Sequence, residues 1–166
     1  KPLLFGGFIM HVGLLLLLVG HVRVATDYYF LWDLLGWGER ETHTVSTVGG
    51  ISAGFLFMLP LFYLLARRWS GSAKWLSTPE DFFVLFLLIG IGITGNHMRL
   101  VLEVDQHAMR EFMQGLFLFS WKPLPESAGI SFIWHFAFVQ LLMIYFPFGK
   151  LLHTIGAFFS KMVARS

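Results

Sequence analysis

Apolar residues fall in four long blocks along the chain, separated by short stretches that collect the charges. A helix that crosses the hydrocarbon of a bilayer needs about 20 predominantly apolar residues. Leu3 to Val22 meets that length and is broken only by His11 and His21. Thr44 to Ala66 carries no charge and is closed by Arg67 and Arg68. A shorter uncharged run lies between Asp81 and Arg99, opened by Ser77-Thr78-Pro79-Glu80-Asp81. A hydroxyl cap, a proline in the first turn and two acids there mark a helix start. The last block runs from Ser127 to Gly149, continues past Lys150 to Phe159, and contains Pro147, where a bend is expected. The expected fold is an all-α integral membrane bundle of four transmembrane helices with little else between them.

Composition agrees with the pattern. Of 166 residues 56% are hydrophobic and 13% charged, against roughly 25% charged in a soluble domain, which excludes an ordinary water-soluble globule. The formal charge of +2 is small and scattered, so nucleic acid is not expected as a partner. With no cysteine, the chain can hold neither a disulfide, an iron–sulfur cluster nor a covalently attached haem of the C-x-x-C-H type. One membrane domain over residues 1–166 accounts for the whole sequence.

Basic residues set the expected orientation. Arg67, Arg68 and Lys74 occupy a loop without acids, and the tail adds Lys161 and Arg165, so both belong on the cytoplasmic side. The stretches from Asp27 to Glu41 and from Glu103 to Glu126 hold most of the acids, with Tyr28, Tyr29, Trp32, Trp37 and Trp121, and suit the outer interface. Both ends of the segment then lie on the cytoplasmic side of the cell inner membrane. The first block is too long for a signal peptide, and a start at Lys1 is read as a chain lacking upstream residues.

Four of the seven histidines lie at membrane depth: His11 and His21 in the first block, His135 and His153 in the last. Ionisable groups in hydrocarbon are expensive and mark function. With the two helices antiparallel, His21 faces His135 near the outside and His11 faces His153 near the cytoplasm. An imidazole from each of two helices is what a six-coordinate haem iron requires, and two such pairs would hold two stacked haems between the first and last helices. Ten residues advance about 15 Å and eighteen about 27 Å, so tilt, the Pro147 bend and imidazole reach must absorb an offset of about 6 Å. His135 and His153 share one helix face, whereas His11 and His21 are about 80° apart. Gly13 and Gly20 beside the first two histidines are candidate cofactor contacts, because a flat porphyrin needs close approach to backbone. A membrane histidine also serves as a hydrogen-bonding contact between helices, and glycines pack helices without any cofactor. Zinc fits less well, since each pair offers two ligands rather than three or four.

His11-Val12-Gly13, Val19-Gly20-His21, and His135 followed by Tyr145-Phe146-Pro147-Phe148-Gly149-Lys150-Leu151-Leu152-His153 resemble the diheme cytochrome b, or gamma, subunit of respiratory nitrate reductase. The resemblance covers nearly the whole chain. It implies two non-covalent haem b groups, His21 with His135 for the outer and His11 with His153 for the inner. Within the family, Ser77-Thr78-Pro79-Glu80-Asp81-Phe82-Phe83, Gly90-Ile91-Gly92 and Val104-Asp105 are most similar to the DsrM, HmeC and TmcC branch of sulfite-reduction-associated membrane complexes. The family usually carries one more helix ahead of the first one here. Its likeness implies a quinol or quinone oxidoreductase module, with menaquinone as substrate and a cytoplasmic iron–sulfur subunit as partner. That partner would resemble heterodisulfide reductase, or the beta subunit of nitrate reductase, within a larger membrane complex.

Quinone chemistry needs a group that binds the ring oxygen and accepts its proton. His43 and Glu41, at the outer mouth of the second long helix, are the candidates, Glu41 standing where the nitrate-reductase branch carries a lysine associated with quinol. Arg23 and Arg99 at the outer interface, and Arg67 and Arg68 at the inner one, are placed where haem propionates seek cations, although snorkelling explains the same arginines. His97 and His107 are read as interfacial residues. A proton-coupled transporter with a histidine relay, or a passive anchor for a soluble enzyme, are the readings of another class; no inverted repeat supports the transporter.

Overall fold

A computed structural model describes residues 2–70 and 75–149. Six helices account for most of them: α1 (Pro2–Ala25), α2 (Tyr29–Leu35), α3 (Glu39–Trp69), α4 (Pro79–Leu100), α5 (Gln106–Phe117) and α6 (Gly129–Tyr145). Four spans are long and apolar enough to cross a membrane, namely Leu3–Ala25, Glu39–Trp69, Pro79–Leu100 and Glu126–Phe148. These answer to the four apolar blocks. The stretches read as plain connections differ from expectation, because each holds a short helix, α2 and α5, at the same end of the bundle. The expected continuation from Lys150 to Phe159, with His153 in it, lies outside the described residues.

Local chemistry sets the boundaries. At α4, Pro79 sits in the first turn and the Asp81 carboxylate accepts the Thr78 N–H at 2.8 Å, one half of a capping box. Asp105 caps α5 by accepting from the N–H groups of His107 and Ala108. Gly36 closes α2 at φ 66°, a left-handed conformation that glycine takes without strain. α6 ends at Tyr145 and tightens into a 3₁₀ turn over Phe146–Phe148 around Pro147, because proline cannot continue the hydrogen-bond ladder.

The long helices pack antiparallel in the spatial order α1, α3, α4, α6. Phe57, Met58 and Leu61 of α3 with Leu85 and Ile89 of α4 form the buried centre, and Met10, Leu14 and Leu17 of α1 close over it. Gly13 makes the α1–α3 crossing: a Cβ there would lie 2.7 Å from the Phe57 nitrogen and 2.9 Å from the Leu56 carbonyl carbon. The contact falls where Pro60 cannot donate to the Leu56 carbonyl. On α4, Gly92 admits the Met58 side chain from one side and Gly90 admits the Phe138 ring from another. No residue of α6 is buried among the described residues, which leave its apolar surface open to lipid or to other contacts.

α5 is fixed across the end of the bundle by charge. Asp27, just past α1, accepts five hydrogen bonds: two from the Arg23 guanidinium, both at 2.9 Å, and one each from the Tyr28 N–H, the Trp32 indole and Arg110 of α5. Arg110 also donates to the Arg23 carbonyl at 2.8 Å, and Gln114 to the Ala25 carbonyl at 2.7 Å. Burial by itself would raise the Asp27 carboxyl, but the hydrogen bonds from Arg23, Trp32 and the Tyr28 backbone outweigh it and hold it well below the usual carboxylate range.

Two outcomes are expected. Replacing Gly13 by Val forces α1 off α3 and lowers the melting temperature of the purified protein, by about 2 kcal/mol of overpacking; Gly7→Ala, with nothing within 4 Å of the new methyl, leaves it unchanged. Asp27→Asn destabilises by roughly 2 kcal/mol at pH 7. Since the folded carboxyl is depressed, Asp27 contributes fully above the unfolded value of about 4 and loses that contribution as pH falls toward the folded one. Melting curves of wild type and variant therefore converge below about pH 4.

Candidate functional site

Four helices contribute to the polar groups around the two histidines that come together. His21 lies one turn from the end of α1 and His135 two turns into α6. Their ring centroids are 6.1 Å apart and their planes differ by 12°. Each ring is oriented through Nδ1. His21 donates to the Leu17 carbonyl on its own helix at 2.6 Å, and His135 to the Ile91 carbonyl of α4 at 3.0 Å, with Thr94 Oγ1 at 3.1 Å. A carbonyl can only accept, so Nδ1 carries the proton and Nε2 is the lone-pair nitrogen in both rings. That is the tautomer of a metal-ligating histidine whose other N–H is held by a backbone carbonyl.

α4 makes the seat for His135. A Cβ on Gly95 would lie 3.2 Å from the imidazole Cε1, so the ring rests on bare backbone. The Thr94 hydroxyl is itself directed by donating to the Gly90 carbonyl at 2.8 Å. One turn further along, His97 bonds Ser131 of α6 at 2.9 Å. On the α3 side of α4, Arg99 donates to the Ser46 carbonyl at 3.0 Å and lies against Gly50, while Asn96 fits against Gly54.

The pair fits an axial-ligand role for haem. Two metal–nitrogen bonds of about 2 Å plus the ring radii span roughly 6 Å, the separation of the two rings. Among the described residues no group of three or more His, Cys, Asp or Glu gathers in metal-binding geometry; axial ligation asks for two donors, from opposite sides. His11 repeats the His21 device, its Nδ1 donating to the Gly7 carbonyl at 2.7 Å, and its expected partner His153 lies outside the described residues.

Other expected site residues are placed as follows. Gly20 is exposed, with nothing within 4 Å of its Cβ position, whereas Gly13 is engaged by α3. Arg23 is held by Asp27 and lies over the Trp32 ring at 5.5 Å. Arg67 is exposed, and its neighbour Arg68 pairs with Asp81 at 3.2 Å. Glu41 accepts the Gly38 N–H at 3.0 Å and so serves the start of α3; His43, in the next turn, is exposed. His107 is exposed and faces Glu111 at 3.8 Å. Sequence reading missed Thr94 and the Ile91 carbonyl, whose part in seating His135 depends on the α4–α6 contact. It also passed over the Arg23–Asp27 pair, which the i,i+4 spacing announces.

The chain is similar to known proteins. Over 163 residues the chain is 34% identical to the Hdr-like menaquinol oxidoreductase cytochrome b-like subunit of Archaeoglobus fulgidus, covering 93% of this chain and 48% of that protein. The protein of the same name from Archaeoglobus profundus is 27% identical over 160 residues, covering 92% of this chain and 46% of its own length. The chain thus spans about half the length of these two relatives. The nitrate reductase gamma chain of Bacillus subtilis is 26% identical over 166 residues, covering 94% of this chain and 73% of its own. No solved structure matches. The model of the nitrate reductase gamma subunit family matches residues 1–164, and with four membrane-length helices and an aligned pair of imidazoles, the chain belongs to that family.

Proposed function

We propose that this chain is the diheme cytochrome b module of a quinol oxidoreductase complex in the cell inner membrane, carrying electrons between a menaquinol or menaquinone site near the α2/α5 end and an iron–sulfur partner subunit at the cytoplasmic Arg67 end. The approach of His21 and His135 across α1 and α6 carries this reading. Haem b, when bound, supplies a one-electron couple on iron. What the chain supplies is orientation and insulation. His21 and His135 would offer Nε2 to the outer haem, held by the Leu17 and Ile91 carbonyls, and His11 with His153 would serve the inner one. Gly20 leaves open backbone beside His21, and Arg67, exposed at the inner end, is the cation offered to a propionate there. Menaquinol oxidation releases two electrons and two protons for each quinone formed. His43 is the group placed to accept a proton near the outer mouth, with Glu41 as its carboxylate neighbour.

The likeness to the Hdr-like subunits supports a partner similar to heterodisulfide reductase, within a DsrM-like complex of dissimilatory sulfur metabolism. The likeness to the nitrate reductase gamma chain supports the alternative, a beta-like iron–sulfur partner. Purification of the intact complex and identification of the neighbouring subunit decide between them.

Reduced-minus-oxidised absorption spectra of the purified complex test the cofactor. A b-type signal of two components is expected, one lost on His21→Ala or His135→Ala and the other on His11→Ala or His153→Ala. A colourless complex, or a signal indifferent to all four substitutions, overturns the reading.

A further inference from the structure

Arg99 is a cation without an anion. It stands in the last turn of a membrane-length helix, half-buried, and donates only to neutral acceptors, the Ser46 carbonyl at 3.0 Å and the Ser46 hydroxyl at 3.5 Å. A guanidinium at such depth ordinarily pairs with a carboxylate. All ten side-chain carboxylates of the sequence fall among the described residues, and none pairs with Arg99: among the described residues the arginine ion pairs are Arg23–Asp27, Arg110–Asp27 and Arg68–Asp81.

The surroundings make the imbalance larger. Arg23, at the same end of the bundle, shares Asp27 with Arg110. With Arg99 these four side chains sum to a net charge of +2. Arg99 is also well held, because Gly50 gives its guanidinium room against α3, where a Cβ would lie 2.8 Å from Cζ. It sits four residues, one turn or about 6 Å, beyond Gly95, the residue on which the His135 ring rests. A dianionic plate between His21 and His135 would carry its charge to this cluster.

We propose that Arg99, rather than Arg23, is the positioning residue that binds a propionate of the porphyrin held by His21 and His135, with the Arg23–Asp27–Arg110 group supplying the second positive charge. The proposal rests on the haem reading above. Arg23 has both ends of its fork on Asp27, whereas Arg99 has only Nη1 engaged. A cation beside a propionate also favours the reduced iron, since it offsets the negative charge that reduction leaves uncompensated.

The test is a redox titration of the purified complex, following the component that His21→Ala removes, with native haem and with haem dimethyl ester, whose carboxylates are blocked. With native haem, Arg99→Gln should shift the reduction equilibrium about tenfold toward the oxidised form, 59 mV for one electron, and Arg99→Lys should fall between it and wild type. With the ester the three proteins should share one potential. Equal potentials with native haem overturn the proposal, as does a shift of the same size with the ester; the latter assigns Arg99 to a lipid phosphate or to the fold. If Arg99→Gln does not assemble, the Arg99→Lys and wild-type pair decides by the same comparison. Absence of any b-type signal from the wild type is a separate result, which removes the proposed function itself.

Discussion

In hydrocarbon an imidazole must give its N–H to an acceptor, because no water is present to take it, and the acceptor it finds fixes the ring. In α1 the acceptor is the carbonyl four residues back, so His11 and His21 are folded along their own helix toward Gly7 and Leu17. In α6 it is a carbonyl of another helix, Ile91 of α4. One ring of the His21–His135 pair is therefore aimed by local geometry and the other by tertiary packing. The separation of 6.1 Å between them depends on α4 keeping its place between α3 and α6.

Glycine gives α4 that place. Its positions 90 and 95 meet α6 through Phe138 and His135, and position 92 meets α3 through Met58. With no side chain in the way, helix axes come close enough for an imidazole to reach a backbone carbonyl across the gap. Transmembrane association relies on such close contact and on interhelical hydrogen bonds, because lipid supplies no hydrophobic drive between helices. α1 packs on α3 through Gly13, and α6 on α4 through Gly90 and Gly95. A larger residue at 95 would push on the His135 ring before it affected the buried centre around Leu61.

Much of this architecture was legible because membrane-length apolar runs have few alternatives. The four spans follow from Leu3 to Val22, Thr44 to Ala66, Asp81 to Arg99 and Ser127 to Gly149 with only their ends displaced, and at Pro147, where a bend is expected, α6 has already given way to a 3₁₀ turn. The helices α2 and α5 were not legible. Tyr29–Leu35 is shorter than two full turns and needs the bundle end to lie on, and Gln106–Phe117 owes its position to Arg110 and Gln114. The four histidines stood out through their rarity at that depth, but what seats them did not. Gly13 looked like room for a flat ligand and instead meets Leu56 and Phe57, because glycine carries no sign of which neighbour it admits.

Charge at the α2/α5 end shows why counting basic residues and locating them answer different questions. That end holds Arg23, Arg40, Arg99 and Arg110, which by number alone would compete with Arg67 and Arg68 in setting orientation. Orientation during insertion, however, responds to charges near the ends of the spans that stay free in short loops. Arg23 and Arg110 become fixed on Asp27 once α5 docks, and Arg99 lies within α4 itself. A paired or intrahelical arginine holds a loop or meets an anion, whereas exposed ones such as Arg40 and Arg67 stay open to solvent or to a membrane surface. The bonding state of each arginine, which follows from contacts between distant parts of the chain, thus determines whether it contributes to topology, to the fold or to ligand binding.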